Sequence, residues 1–145
     1  MPRTGKIPHL PVDWLSDVAP NVPATTPMPA PARNPVDLMF RAFSDPIRLR
    51  ILHLLREGEW CVGDLVAVLQ APQPTVSRHL SYLRRAGLIT ARQQQSWNFY
   101  ALAPAKKTFH KKLLDCLGAC FRDVPELEAD AARARKVRAT GGCCP

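Results

Sequence analysis

The sequence predicts a mainly helical fold with one small β-hairpin, held in a single domain between two tails. Apolar residues recur at helical spacing from residue 36 onward, and two short alternating segments follow near residue 90. Nine of the 15 prolines fall within residues 1–35. We therefore expect a disordered proline-rich arm over 1–35, a folded domain over 36–124, and a charged helical extension with a Cys-Cys tail over 125–145.

The net charge and the hydropathy of the chain indicate which kinds of partner it can have. The formal net charge is +8, which favours a polyanionic partner because phosphates neutralised by Lys or Arg release counterions. No apolar run reaches the roughly 18 residues that cross a bilayer, and the N-terminus lacks the apolar segment of a signal peptide. We expect a cytoplasmic protein with no membrane partner.

Catalysis is not expected from the arrangement of nucleophiles and bases. The candidate bases His53, His79 and His110 fall in separate predicted helices, so none is positioned beside a cysteine nucleophile. The chain also has no glycine-rich phosphate loop. The sequence therefore predicts a protein that is not an enzyme and that needs no organic cofactor.

Three helices open the folded domain. The first covers 36–43, and Ser44-Asp45-Pro46 starts the second, which runs through Leu55. Ser or Asp caps the exposed backbone N–H groups of such a helix, and proline fits its first turn. A third helix covers 61–69, after Gly58 ends the second.

The fourth helix has a narrow apolar face and a wide polar one. It covers 74–86, stops at Gly87, and buries Val76, Leu80 and Leu83. Two strands follow at 88–92 and 97–102. Because the connection 93–96 lacks a turn glycine, we expect a long, loose loop there.

The remaining residues predict one long helix with a charged continuation. It begins near Pro104, runs past Phe121 and kinks near Pro125. Residues 126–138 are expected to be largely solvated, and 140–145 to be mobile.

Two helices joined by a tight turn and followed by a basic hairpin predict a winged helix-turn-helix. The second helix of such a pair enters the major groove of double-stranded DNA. Arg78 suits guanine and Gln73 suits adenine, whereas Arg84 suits phosphate. The alternative is a solvated amphipathic helix with incidental charge. The predicted DNA contacts are Gln73, Thr75, Ser77, Arg78, His79, Tyr82, Arg85 and, on the hairpin, Arg92.

Two segments, 44–52 (SDPIRLRIL) and 74–89 (PTVSRHLSYLRRAGLI), resemble the ArsR/SmtB family of metal-responsive repressors. The resemblance extends over roughly 36–121. It implies a homodimer built through the first and last helices, which binds operator DNA and is released when an inducer binds. The chain departs from the family at Pro72, where related sequences usually have Ser, and in its glycine-free hairpin turn.

The inducer sites common in the family are incomplete here. Arsenite sensors resemble Cys-Val-Cys-Asp-Leu-Cys in the third helix, and this chain keeps only Cys61 of those thiols. Zinc-type members place Asp and His pairs along the last helix, a spacing that His110 and Asp115 do not reproduce.

A cysteine pair in the last helix offers another site. Cys116 and Cys120 are four residues apart, so they lie on one helical face. Two thiolates there could chelate trivalent arsenic or antimony, supplied as arsenite, antimonite or methylarsenite, because soft ligands select soft acceptors. Inert apolar packing is the alternative for this pair. A third thiolate could come from Cys143, Cys144, Cys61 or a partner subunit.

The odd number of cysteines, five, favours free thiols over a disulfide framework. A repressor of the same fold that senses redox state or sulfide stays open, through a link from Cys61 to Cys116 or Cys120. A constitutive DNA binder without an inducer also stays open.

Overall fold

The computed structural model describes residues 34–144 and confirms a mainly helical fold with a small sheet. Most of the predicted arm, 1–33, lies outside the described residues. None of the helices within 34–144 is both long and apolar enough to cross a membrane. The helices are α1 (Pro35–Phe43), α2 (Pro46–Leu55), α3 (Val62–Leu69), α4 (Gln73–Arg85), α5 (Thr108–Ala119) and α6 (Pro125–Ala139). The strands are β1 (Trp60–Cys61), β2 (Ile89–Gln94) and β3 (Trp97–Leu102).

Local capping explains where α1 and α2 begin. The Asn34 side chain accepts a hydrogen bond from the Val36 backbone N–H at 3.1 Å, and α1 starts one residue before its predicted position. Asp45 accepts from the Arg48 N–H at 3.0 Å, and Pro46 occupies the first turn of α2 as predicted. These caps satisfy backbone donors that helix geometry leaves without a partner.

The core lies between α2, α3 and α4. Val76, Leu80 and Leu83 of α4 are fully buried, as predicted, against Ile51 and Leu65. The helix-turn-helix is α3, a turn and α4. Its turn starts at Gln70, which has a left-handed φ of 52°.

The sheet is tighter and larger than predicted. β2 reaches Gln94, which pairs with Trp97, so the hairpin turn is only Gln95 and Ser96. The prediction of a loose loop is wrong because Gln95 adopts a φ of 54°, the left-handed conformation usually supplied by glycine. The short strand β1 pairs with β3 and gives the order β1-β3-β2, which two residues are too few to predict.

The single long C-terminal helix is also a wrong prediction. α5 begins at Thr108 rather than near Pro104, and it ends at Ala119 before a separate helix, α6. Val124 has an extended backbone (φ −93°, ψ 112°), as expected for the residue before a proline. Pro125 therefore starts α6 instead of kinking α5.

α6 is docked on the domain rather than solvated, which corrects the prediction. Leu127, Asp130 and Ala134 are buried, and α6 packs against α2 and α3. The sequence of α6 does not reveal this buried face, because one of its three buried residues, Asp130, is itself an acid.

Asp130 is fully buried between two arginines. Its carboxylate accepts hydrogen bonds from Arg50 of α2 at 2.6 and 2.7 Å and from Arg133 of α6. Arg50 also donates to the Leu69 carbonyl at 3.0 Å, and Arg133 donates to the Val68 carbonyl at 2.6 Å. Asp130 therefore ties α6 to α2 and to the last turn of α3.

We expect Asp130→Asn to destabilise the fold by about 3 kcal/mol, because the two arginines lose their buried counter-charge. Asp123→Asn is the matched control, since Asp123 is exposed in the loop before α6, and it should change stability by less than about 0.5 kcal/mol. Urea unfolding followed by circular dichroism measures both. Equal stability of the two variants would contradict the role of Asp130.

Candidate nucleic-acid interface and thiol sites

α4 presents a positively charged outer face. Arg78, Arg84 and Arg85 are exposed on it, and α4 contains no Asp or Glu. Its N-cap, Pro72, makes no side-chain capping hydrogen bond, so no capping side chain competes for an anion at this helix N-terminus. Seven of the eight predicted DNA contacts are exposed or half-buried: Gln73, Thr75, Ser77, Arg78, Tyr82, Arg85 and Arg92.

His79 is the exception, and its predicted outward position is wrong. Its side chain is buried, with Nδ1 at 3.5 Å from the Arg48 guanidinium and 3.7 Å from the Asp45 carboxylate. Burial lowers the pKa of His79, although Asp45 opposes this shift. His79 lies three residues after Val76 and four before Leu83, which places it beside the apolar stripe rather than opposite to it.

Arg48 of α2 helps to position α4 through contacts with its side chains. Its guanidinium lies 4.2 Å from the centre of the Tyr82 ring and donates to the Arg41 and Ala42 carbonyls of α1 at 2.8 and 3.2 Å. One arginine of α2 thus joins the end of α1 to the middle of α4. The half-buried Tyr82 is held by this contact, and only part of its surface faces outward.

Arg92 carries its own counter-charge. It forms a two-point ion pair with Glu59 and lies over the Phe99 ring at 4.7 Å. The hydrogen bond from Arg92 lowers the pKa of Glu59. A phosphate at the hairpin would therefore compete with Glu59 for this guanidinium.

The thiols of Cys116 and Cys120 meet at the C-terminal end of α5. Their Sγ atoms are 3.0 Å apart, and Cys120 is exposed. The pKa of Cys116 is raised because its thiol donates a hydrogen bond to Cys120, which stabilises the protonated form. Two sulfurs each about 2.3 Å from one metal centre can be at most about 4.6 Å apart, so this pair is close enough to chelate.

The other three cysteines lie together at the start of α3. Cys61 caps α3, and its sulfur is joined to Cys144 in a disulfide, which corrects the expectation of five free thiols. Cys143 Sγ lies 3.6 Å from Cys61 Sγ. The structure does not bring any of these three predicted third ligands to Cys116 and Cys120. It places them instead with the Asp64 carboxylate, all four ligand atoms lying within 4.8 Å of one another.

Comparisons with known proteins agree with the DNA-binding geometry. Residues 45–91 match the family described as "Bacterial regulatory protein, arsR family". The chain is 45% identical over 78 residues to an uncharacterised HTH-type transcriptional regulator of Methanocaldococcus jannaschii, covering 53% of this chain and 88% of that protein. It is 41% identical over 86 residues to the arsenical resistance operon repressor of Escherichia coli K12, covering 59% of this chain and 74% of the repressor. The chain belongs to the ArsR family.

The structural comparison supports the same assignment. HlyU from Vibrio cholerae aligns with a TM-score of 0.54 and 31% identity, over 60% of this chain and 91% of HlyU. The ArsR-family chain is thus a winged helix-turn-helix transcriptional repressor, and its relatives are DNA-binding regulators rather than enzymes.

The ArsR-family match ends at residue 91 and includes only one of the five cysteines, Cys61. Sequence reasoning also missed Asp64 and Asp130, which the fold places at opposite ends of α3. Nothing in the local pattern marks either carboxylate, because their partners are distant in the chain. The other four cysteines of this repressor lie outside the part of the chain that matches the family.

Proposed function

We propose that the chain represses transcription by binding operator DNA through the outer face of α4 and is released by a trivalent arsenical bound across Cys116 and Cys120. The exposed basic face of α4 supports the first half. The 3.0 Å Sγ–Sγ contact is the single observation that carries the second half.

The DNA contacts divide by position on α4. Arg78 and Ser77 lie in its first half, where side chains of a recognition helix reach base edges. Arg85 lies at the C-terminal end with Arg84, where a phosphate contact orients the protein without specifying sequence. Gln73 and Thr75 stand at the N-terminus of α4, and Thr75 is half-buried.

Replacing Arg78 by alanine should weaken operator binding about 5- to 150-fold, because a guanidinium that reads a guanine edge contributes about 1–3 kcal/mol. Arg135→Ala is the matched control, since it removes one exposed positive charge on α6. Fluorescence anisotropy with a duplex selected by the chain from random-sequence DNA measures both affinities. Equal losses in the two variants would show that only net charge matters.

We propose that the repressor is a homodimer formed through α1 and α5. Val36 and Phe40 of α1 are exposed apolar residues, and the Phe40 ring lies 5.2 Å from the ring of Phe109 on α5. Beside them is an apolar groove of about 390 Å³ lined in part by Met39 and Ile89. Burying these surfaces between two copies would remove them from water.

Such a dimer explains how the α5 thiols could act at a distance. Cys116 lies on the helix that carries Phe109 and Cys120 is the C-cap of that helix, so an arsenical that bridges them would bias the position of α5. A shift of α5 at the dimer interface would change the spacing of the two copies of α4, which must match half-sites about one DNA turn apart.

Two thiols satisfy a methylated trivalent arsenical, which has two exchangeable positions. The pair would bind inorganic arsenite or antimonite with one position left to solvent or to a partner subunit. The exposure of Cys120 leaves an open approach for either kind of ligand.

A redox-sensing repressor is the second candidate. The Cys61–Cys144 disulfide supports it, because the bond connects the capping residue of α3 to the C-terminal tail. Its partner differs from the Cys116 or Cys120 expected from the sequence. Polysulfide would act on the reduced protein by oxidising the Cys61 and Cys144 thiols to this bond while one of its sulfurs leaves as sulfide, whereas arsenicals would act through α5.

Methylarsenite should weaken operator binding of the reduced wild type about 5- to 150-fold, the range of a coupling of about 1–3 kcal/mol. The double variant Cys116→Ser, Cys120→Ser should keep its DNA affinity and lose this response, whereas the control Cys143→Ser should keep it. The same anisotropy assay, run without oxygen, compares methylarsenite, arsenite, antimonite, zinc and polysulfide. Full release of the double variant by arsenicals would contradict the α5 site, and release by polysulfide alone would favour the redox candidate.

A further inference from the structure

A second group of thiols meets at the N-terminal end of α3. Cys61 Sγ lies 3.6 Å from Cys143 Sγ, Cys143 Sγ lies 3.7 Å from Cys144 Sγ, and Cys61 and Cys144 are bonded. Sulfurs that share one metal centre at about 2.3 Å can be at most about 4.6 Å apart. All three pairs meet this limit, although Cys61 is more than 80 residues from the other two in sequence.

A glycine turn returns the tail to α3. Gly141 (φ 85°) donates its N–H to the Arg138 carbonyl at 3.2 Å, and Gly142 (φ 68°) donates to the Val137 carbonyl at 2.9 Å. This pair of bonds is the Schellman motif that ends a helix with a left-handed residue. The Cys143 N–H then donates to the Asp64 carboxylate at 2.7 Å, which fixes the tail beside α3.

Two glycines, Gly63 and Gly142, leave the space that the tail needs beside α3. A Cβ atom at Gly63 would overlap Cys143 Sγ, and one at Gly142 would lie 2.6 Å from an Asp64 carboxylate oxygen. Gly63 lies within α3, where alanine would otherwise be favoured. Its absence of a side chain leaves room for the tail thiol next to Cys61.

We propose that, in the reduced protein, Cys61, Cys143 and Cys144 form a three-thiolate site for trivalent arsenic or antimony. Arsenous acid would exchange its three hydroxyl groups for three sulfurs: three As–O and three S–H bonds break, three As–S bonds form, and three waters leave. The site offers three sulfurs, which match three-coordinate arsenic better than four-coordinate zinc, and one Asp64 carboxylate oxygen accepts from the Cys143 N–H beside them.

Disulfide and metalloid exclude each other at this site. The Cys61–Cys144 bond consumes two of the three sulfurs, and a reductant must supply two electrons before they can bind arsenic; the two protons come from the thiol reductant or, with a phosphine, from the water that forms the phosphine oxide. The bound metalloid would replace the disulfide as the covalent link between the start of α3 and the tail of α6. This site is independent of the α5 pair.

Arsenic X-ray absorption tests the site in the Cys116→Ser, Cys120→Ser background, which removes the α5 pair. The full chain, reduced by a phosphine and loaded with arsenite, should bind one arsenic with three sulfur neighbours. Adding Cys61→Ser should remove this three-sulfur shell while keeping a side chain that caps α3. Gly63→Ala should also remove it, although all three thiols remain, and circular dichroism checks that both variants are folded.

Oxidation provides the second test in the same background. After diamide treatment, with the Cys61–Cys144 disulfide verified by mass spectrometry, the chain should bind no arsenite until reductant is added. Fewer than three sulfurs in the reduced chain, a shell that survives Cys61→Ser, or binding of zinc or cadmium but not arsenite would overturn the proposal. If arsenicals fail to release the operator from the reduced wild type while the three-sulfur shell is intact, only the function proposed for α5 is contradicted.

Discussion

The buried carboxylate of Asp130 fixes the geometry on which the other features depend. A buried charge is stable only when it is paired and hydrogen-bonded, and Arg50 and Arg133 supply both. The same arginines satisfy the Val68 and Leu69 carbonyls, which the end of α3 leaves without helical partners. One acid therefore holds α2, α3 and α6 together, immediately before the turn into α4.

α3 is consequently fastened at both of its ends. Asp130 and its arginines act at the C-terminal end, and the tail after α6 returns to Cys61 and Asp64 at the N-terminal end. α4 is positioned from below by Arg48, which leaves its outer face with exposed arginines and no acidic residue. The structure thus separates an inner layer that orients the helix-turn-helix from an outer surface free to meet a polyanion.

Local sequence patterns correctly predicted the elements that depend on interactions between residues close in the chain. The Asp45-Pro46 helix start, the buried stripe of α4 and the strand Trp97–Leu102 follow from capping, period and alternation. The errors on α6 and on the cysteine tail lie where distant residues decide: Asp130 meets Arg50 across 80 positions, and Cys61 meets Cys144 across 83. From the sequence alone, the charged helix α6 was therefore predicted to be solvated and the thiols of the C-terminal tail were predicted to be free.

The candidate site was predictable to a similar degree. The basic residues of α4 and the Cys116–Cys120 pair could be found from spacing alone, because both depend on one helix. The thiol group at α3 could not, because it requires the break at Pro125, the docking of α6 and the glycine turn that follows it. His79 shows that a polar residue next to an apolar stripe can pack inward when a neighbouring element offers partners such as Arg48 and Asp45.

The proposed repressor places the outer face of α4 against duplex DNA. Amide chemical shifts of the isotope-labelled chain, recorded as a selected operator duplex is added, give the sharpest test of this placement. The largest shifts should fall within residues 73–85, with smaller ones at the hairpin and none along the outer face of α6. Unshifted α4 amides in a saturated complex, with changes confined to α1 and α5, would contradict the claim.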